Sequence, residues 1–233
     1  MLAQSQGAFA RFSAVGKFDL VAFDVDGTLV VHEHGQTVWE VLNRRFTGDD
    51  GWNPQRYQEY LDGKLSYADW VAQDIEGWKA GGATRDKLVE AFAPLRLVEG
   101  TREALTELRG AGLRTVVISG TLDLLLHTLL PDPPLDEIYC NHIAFDADGG
   151  ITHWQATPFD MEGKATCLRA VAMREGIPLA RCAFVGDSSN DVWIARTAGF
   201  GVAFNPNSQE LEGACKAVVR SRNLRDVLPF LLN

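Results

Sequence analysis

The sequence predicts an α/β fold, a doubly wound parallel sheet with a small helical cap inserted after the first strand. Three observations predict it. The run Asp19–Val25, DLVAFDV, is apolar with no polar alternation, as a strand buried on both faces requires. Beyond residue 98, apolar runs of strand length alternate with helical patterns, which implies a parallel sheet with helices on both faces. Between these two parts the apolar residues recur at helical spacing instead. Residues 1–30 and 98–233 therefore read as the core and residues 31–97 as a helical cap.

The elements follow in order. TVWEVLNRRF places Val38, Val41, Leu42 and Phe46 on one helix face. SYADWVAQDIEGW places Tyr67, Trp70, Val71, Ile75 and Trp78 on another, with Ser66 as its N-cap. Thr84 starts a third helix carrying Leu88, Val89 and Phe92, and Pro94 marks its boundary. TREALTELRGAG is a helix closed by Gly110 or Gly112, LRTVVISG a buried strand, and TLDLLLHTLL a helix stopped by Pro131. DEIYCN is a short strand, and IAFDADGGITHW two short strands around Asp-Gly-Gly, a hairpin. GKATCLRAVAMREGIP is a helix ending at Gly176, RCAFVGD a strand, SSNDVWIARTAG a helix and GVAF a strand. AVVR and LRDVLPFLL close the chain.

A chain of 233 residues, 46% hydrophobic, can bury a substantial core. The net charge of −9 is spread along the sequence without a basic run, which argues against nucleic acid as a partner. Cys140, Cys167, Cys182 and Cys215 stand far apart with no CxxC pair, so reduced buried thiols are expected rather than zinc ligands. The opening stretch MLAQSQGAFARFSAVGK lacks a charged segment followed by a long apolar one, so no signal peptide is expected. Nor is any apolar run of bilayer length present. The expectation is a cytoplasmic monomer or homodimer with no membrane partner.

Polar residues interrupt this pattern where a parallel sheet binds ligands, at the carboxyl ends of strands. Asp24 and Asp26 end the first strand, Ser119 and Gly120 end the second buried strand, and Asp187 ends RCAFVGD, followed by Ser188–Asp191. Lys164 lies near the start of the preceding helix. A lone Asp-x-Asp is usually a turn, a lone Ser-Gly the same, a lone lysine a surface residue, and GDSSND could be no more than a helix cap. Their joint placement is what points to chemistry. Converging carboxylates repel, so a cation must lie among them, and oxygen-only ligands suit magnesium. A carboxylate beside such an ion can attack phosphorus, while the second can protonate a leaving alcohol and later deprotonate water. Gly27 lets the backbone turn sharply out of the strand.

DVDGT, ISG, Lys164 and GDSSND, in that order, resemble the four motifs of the haloacid dehalogenase superfamily, over most of the predicted core. That resemblance implies a Rossmann-like core and a Mg2+-dependent site. It makes Asp24 the nucleophile and Asp26 the general acid/base, with the Asp26 backbone carbonyl also on the metal. Ser119 and Gly120 would bind phosphate, and Lys164 would steady it. Asp187 would be a metal ligand and Asp191 a ligand or an indirect partner. Dehalogenases of this superfamily lack the second aspartate; its presence favours phosphoryl transfer, because a halide leaves without a proton. A phosphotransferase or mutase using the same phosphorylated aspartate, and a non-catalytic binding module, are the alternatives.

The inserted cap resembles the lid of the phosphoserine-phosphatase-like branch. Glu33, nine residues after Asp24, stands where that branch places a glutamate that meets the substrate amine. HEH (His32–His34) reads as the cap hinge rather than a second metal site. Trp39, Trp52, Trp70 and Trp78 read mainly as cap packing, with one or two free to line an apolar pocket. Where the branch has an arginine for the substrate carboxylate, this chain has Asp74, which would repel one. The expected substrate is a small phosphorylated metabolite other than phosphoserine, one carrying an amine or other cation, or a polyol or sugar phosphate, unless Arg56 or Lys64 supplies the missing grip.

Overall fold

The computed structural model describes residues 16–49, 54–158 and 161–233. Seven strands form one sheet: β1 (Leu20–Phe23), β4 (Arg114–Leu122), β5 (Glu137–Phe145), β6 (Ile151–Gln155), β7 (Cys182–Gly186), β8 (Phe200–Phe204) and β9 (Ala217–Val219). Their spatial order is β6-β5-β4-β1-β7-β8-β9, and every pairing is parallel except β5 with β6. The apolar run at Leu20–Phe23 is wholly buried because the sheet is covered on both sides. Val21 and Phe23 belong to one core, with helices α5 (Thr101–Gly110), α6 (Asp123–Leu129) and α10 (Leu228–Leu232). Leu20 and Ala22 belong to the other, with α7 (Glu162–Glu175), α8 (Val192–Thr197) and α9 (Gln209–Ala214). The period-two alternation of a strand thus divides its side chains between two helical layers.

After β1 the chain leaves the sheet through β2 (Val30–His32), which pairs antiparallel with β3 (Leu95–Leu97) to form a two-stranded stem. The stem carries α1 (Val38–Thr47), α2 (Pro54–Leu61), α3 (Tyr67–Ala80) and α4 (Arg85–Ala91). Local chemistry starts these helices. The Thr37 hydroxyl and the Glu40 carboxylate form a reciprocal capping box, and Ser66 and Thr84 accept from the backbone N–H groups of Asp69 and Lys87. Trp78 is fully buried and donates from Nε1 to Asn43 Oδ1 at 2.6 Å. Val38, Trp78 and Leu88 share one continuous core with Val117 and Leu125, so the helical block packs onto one face of the sheet.

Three departures from the sequence expectations have physical causes. The helix α2, PQRYQEYL, has too few apolar residues to announce itself by periodicity. The segments expected as separate strands at residues 136–145 form the single strand β5. Its polar centre, Asn141, is buried but saturated by hydrogen bonds and so does not break the strand. Ser119 and Gly120 do not end β4, which continues to Leu122; the register against β5 shifts between Ile118 and Leu122, the signature of a bulge that re-aims side chains. Trp52 lies outside the described residues. No helix among the described residues is long and apolar enough to cross a membrane.

Candidate active site

The strand order places β1 between β4 and β7, where the chain reverses its direction of travel across the sheet. A crevice opens at the carboxyl ends of strands at such a reversal. Asp24 follows β1 directly and still pairs in strand fashion, its N–H donating to the Val185 carbonyl at 3.0 Å. The next residues close a tight turn in which the N–H groups of Thr28, Leu29 and Val30 all donate to the Val25 carbonyl. Gly27 sits in that turn at φ 87°, and a Cβ there would lie 2.2 Å from Asp187 Oδ2. Both the backbone angle and the approach of Asp187 require glycine.

Lys164 enters from the first turn of α7 and is completely buried. Its ammonium lies 2.7 Å from Asp24 Oδ1 and 2.7 Å from Asp191 Oδ1. Asp191 is equally buried, and its Oδ2 accepts from the N–H groups of Asp187 and Ser188 at 3.0 and 3.2 Å. Both oxygens of Asp191 are therefore occupied in holding the lysine and the β7 turn. Asp187 accepts from Thr28 Oγ1 at 3.4 Å and from Asn207 Nδ2 at 3.2 Å. Asp24, Asp187 and Asp191 each offer a carboxylate oxygen within 4.8 Å of the others. One lysine cannot balance this group together with Asp26. Burial, then the charges of Asp191 and Asp24, push Asp187 well above the ordinary carboxylate range. Such crowding of hard oxygen donors fits a small divalent cation, which the carboxylates of Asp24 and Asp187 could hold, with Asp191 supporting them from behind.

Asp26 is separated from this cluster by its own hydrogen bond. Its Oδ1 accepts from the N–H of Val38, the first residue of α1, at 2.9 Å. Burial and the neighbouring charge of Asp24 raise it from the ordinary value to about 6, against the pull of the Val38 N–H. A carboxyl group near neutrality can act as both acid and base. Ser119 is buried, and its Oγ accepts from the Thr121 N–H at 3.2 Å. The Gly120 carbonyl accepts from Asn141 Nδ2 at 2.7 Å and from the helical block through Trp39 Nε1 at 2.8 Å.

Between the sheet and the helical block lies a cavity of about 340 Å³. Asp24, Asp26, Ser119, Gly120 and Thr121 form its floor, and Trp39, Glu40, Tyr60, Tyr67, Trp70 and Asp74 form much of its roof. Lys164, Asp187 and Asp191 lie beneath this floor. Glu33 is not in the wall: it is exposed in the turn beside His34, and Glu40 on α1 lines the cavity instead. The displacement follows from the turn after β2, in which the Gly35 N–H donates to the His32 carbonyl at 3.0 Å and Glu33 is exposed at the tip. Asp74 is where the sequence suggested, but Arg56 Nη1 lies 2.9 Å from it, so its charge is matched within the roof. Lys64 pairs with Asp62 at the surface. Sequence reasoning missed Glu40 and Thr121; the capping box was the available signal for Glu40, and the bulge that turns Thr121 inward leaves none.

This fold and this site define a class: doubly wound α/β enzymes that gather carboxylates and a buried lysine at the switch point of the sheet. The chain belongs to the haloacid dehalogenase-like hydrolases, whose family model matches residues 18–199. Its relatives include phosphoric monoester hydrolases. It is 31% identical over 214 residues to phosphoserine phosphatase SerB2 of Mycobacterium tuberculosis, covering 91% of this chain but 50% of that protein. It is 28% identical over 224 residues to the phosphoserine phosphatase of Methanocaldococcus jannaschii, covering 92% of this chain and 98% of that one. A solved structure described as a phospho-aspartyl intermediate analogue of phosphoserine phosphatase superposes with a TM-score of 0.72 at 25% identity, covering 92% of this chain and 99% of that chain.

Proposed function

We propose that this chain is a magnesium-dependent phosphatase that hydrolyses a small phosphate monoester through a phosphorylated Asp24, with residues 31–97 as a cap over a core of residues 1–30 and 98–233. The observation that carries the reading is Lys164, fully buried and 2.7 Å from both Asp24 and Asp191 beneath the cavity floor. A lysine in contact with the attacking carboxylate holds it in one rotamer and offsets its charge as a phosphate approaches. The Asp24 carboxylate forms the bond to phosphorus as the ester oxygen leaves, and Asp26 gives that oxygen its proton. Water then attacks the acyl phosphate, Asp26 takes the proton of the water, and inorganic phosphate departs with Asp24 restored. The N–H of Val38 fixes Asp26 during both transfers, which ties the acid/base to the first turn of the cap.

Ser119 Oγ, the Gly120 N–H and the Lys164 ammonium are the groups for the phosphoryl oxygens. Asp24, Asp187 and the Asp26 carbonyl would hold Mg2+, and Asp191 would position Lys164 and the β7 turn. The ion supplies the positive charge that lets a phosphate dianion approach these carboxylates. Similarity to phosphoserine phosphatases supports the reaction class; Glu40 in the roof, with Arg56 already paired to Asp74, favours a leaving group other than serine. The four unpaired cysteines suit a reducing compartment such as the cytoplasm.

Phosphate release from p-nitrophenyl phosphate tests this reading, with Mg2+, with a chelator, and with Asp24→Asn. Release should need Mg2+ and should fall at least about 10³-fold in the variant, as expected when a nucleophile is lost. Release indifferent to Asp24, or none with any ester, would overturn it.

A further inference from the structure

We infer that the ester taken by this site is that of a cationic amino alcohol, its ammonium or trimethylammonium group seated in the aromatic roof. The inference rests on the phosphatase reading above and names the leaving group. Four rings line the roof, those of Trp39, Tyr60, Tyr67 and Trp70, together with the carboxylates of Glu40 and Asp74. Among the described residues of the cavity wall there is no lysine, arginine or histidine. A leaving group bearing a carboxylate would meet Glu40 with no cation among the described wall residues, since Arg56 behind the wall is paired with Asp74 at 2.9 Å. A neutral polyol would offer hydroxyls to ring faces that cannot bond them well and would bring no charge to the half-buried Glu40. An alkylammonium satisfies both: ring faces attract it through their quadrupoles, and Glu40 supplies the opposite charge.

The rings are already fixed. Trp39 donates from Nε1 to the Gly120 carbonyl at 2.8 Å and packs against Trp78 with centroids 5.1 Å apart. The Tyr67 hydroxyl accepts from Asn141 Nδ2 at 2.8 Å. Tyr60 meets Trp70 edge-on with centroids 6.0 Å apart, and the Arg56 guanidinium lies 5.4 Å from the Trp70 centroid. Trp70 thus already holds one cation at its ring. Glu40 is held by its capping box, Oε2 accepting from the Thr37 N–H at 2.7 Å. A preorganised box loses little side-chain freedom on binding. The cavity of about 340 Å³ suits the ester of a short alcohol.

The test compares kcat/KM for phosphocholine and phosphoethanolamine with 3,3-dimethylbutyl phosphate, the uncharged isostere of phosphocholine, and with phosphoserine. A cationic ester should be preferred over the isostere by about tenfold or more, the range of a desolvated cation–π contact. Trp70→Leu and Glu40→Gln should each shrink that ratio; glutamine preserves the capping box, so a smaller ratio reports the lost charge. Equal or better turnover of the isostere, or of phosphoserine, would overturn the inference while leaving the phosphatase reading intact. In the second case Arg56→Gln would identify the arginine as the carboxylate grip. If p-nitrophenyl phosphate also fails, thermal unfolding with choline against 3,3-dimethylbutanol decides separately. Stabilisation by choline alone would keep the cation site and discard the phosphatase; stabilisation by neither would discard both.

Discussion

The floor and the roof of the cavity solve the same problem in opposite ways. Beneath the floor, Lys164, Asp24 and Asp191 are charges taken almost wholly out of water, at side-chain exposures of 0%, 5% and 0%. Each survives there because rigid neighbours complete its contacts. The roof holds its charges nearer to water, with Arg56 at 20% and Asp74 at 8%, and gives most of its surface to rings. The lesson is one of division. Bond making needs fixed charge, and the ends of a parallel sheet supply fixed positions. Choosing a leaving group needs shape and modest polarity, and helix faces can vary these without disturbing the sheet.

The largest effect should come from removing the central cation. Lys164→Met leaves Asp24 and Asp191 buried without it, and loss of one partner from a buried pair costs about 3–5 kcal/mol. Chemical denaturation at pH 7 should register that loss, and lowering the pH should recover part of it as the carboxylates protonate. Arg56→Met is the matching change in the roof and should cost less, because Arg56 is partly exposed and leaves one buried carboxylate behind where Lys164 leaves two. Equal losses would erase the distinction between floor and roof.

Gly27→Ala comes next. It asks for a left-handed backbone angle and drives a Cβ to 2.2 Å from Asp187 Oδ2. Strain of this kind costs about 1–3 kcal/mol before any clash is counted. The expected result is a lower unfolding midpoint together with weaker Mg2+ affinity, because Asp187 must move. A full-strength metal response in the alanine variant would show that Asp187 does not depend on this turn.

How legible each half was follows from the same division. Asp24, Asp26 and Asp187 stood out because polar residues at the ends of apolar strands are anomalies, and strand ends in a parallel sheet converge; Lys164 joined them from the start of the helix before β7. Helix faces do not converge by rule. Trp70 was visible as apolar periodicity and Trp39 as one of the tryptophans read mainly as packing, but whether such a ring faces core or cavity depends on how the helices are docked. Glu33 was placed by counting from Asp24, and the turn that follows β2 carries it to the surface. Asp74 read as an unmatched charge because Arg56 lies on α2, a helix that periodicity did not reveal. The bulge in β4 was hidden for a related reason: Thr121 and Leu122 are good strand formers, and nothing in their identities announces a register shift.

Asp26 sharpens the comparison on the axis of pH. Its carboxyl is raised from 3.8 to about 6 in the folded protein. A raised carboxyl favours the protonated folded state, so its contribution is full below the unfolded value and is lost as pH climbs through about 6. Metal-free protein should therefore lose about 2 kcal/mol between pH 4 and pH 7 from this group. Asp26→Asn should remove that slope and make the metal-free protein more stable at pH 7, since the amide oxygen can still accept from Val38. The same variant should lose far more activity on alkyl esters than on p-nitrophenyl phosphate, whose leaving group needs less proton help. A slope undiminished in the asparagine variant would place the titration elsewhere, on Asp187 or Asp191, whose carboxyls burial also raises.

The smallest change tests whether floor and roof are one unit. Tyr67 sits in the roof, and its hydroxyl accepts from Asn141 Nδ2, which also donates to the Gly120 carbonyl at 2.7 Å. Asn141 Oδ1 in turn accepts from the Thr157 N–H at 2.7 Å. The roof is thus tied to the Ser119–Gly120 bulge through the buried Asn141 amide and directly, by Tyr67 Oη and Trp39 Nε1 donating to the Gly120 carbonyl at 3.4 and 2.8 Å. Tyr67→Phe keeps the ring and removes the hydroxyl with its bonds to Asn141 and to the Gly120 carbonyl, a loss of about 1 kcal/mol for the shorter of them and less for the longer. If the tie positions Gly120 for phosphate, the variant should bind inorganic phosphate more weakly in the presence of Mg2+, while p-nitrophenyl phosphate, which needs little from the roof, reports the same weakening in KM. If it only fastens the cap, phosphate affinity should hold and amide exchange in α3 should quicken. The two outcomes separate a roof that helps to build the floor from one that merely rests on it.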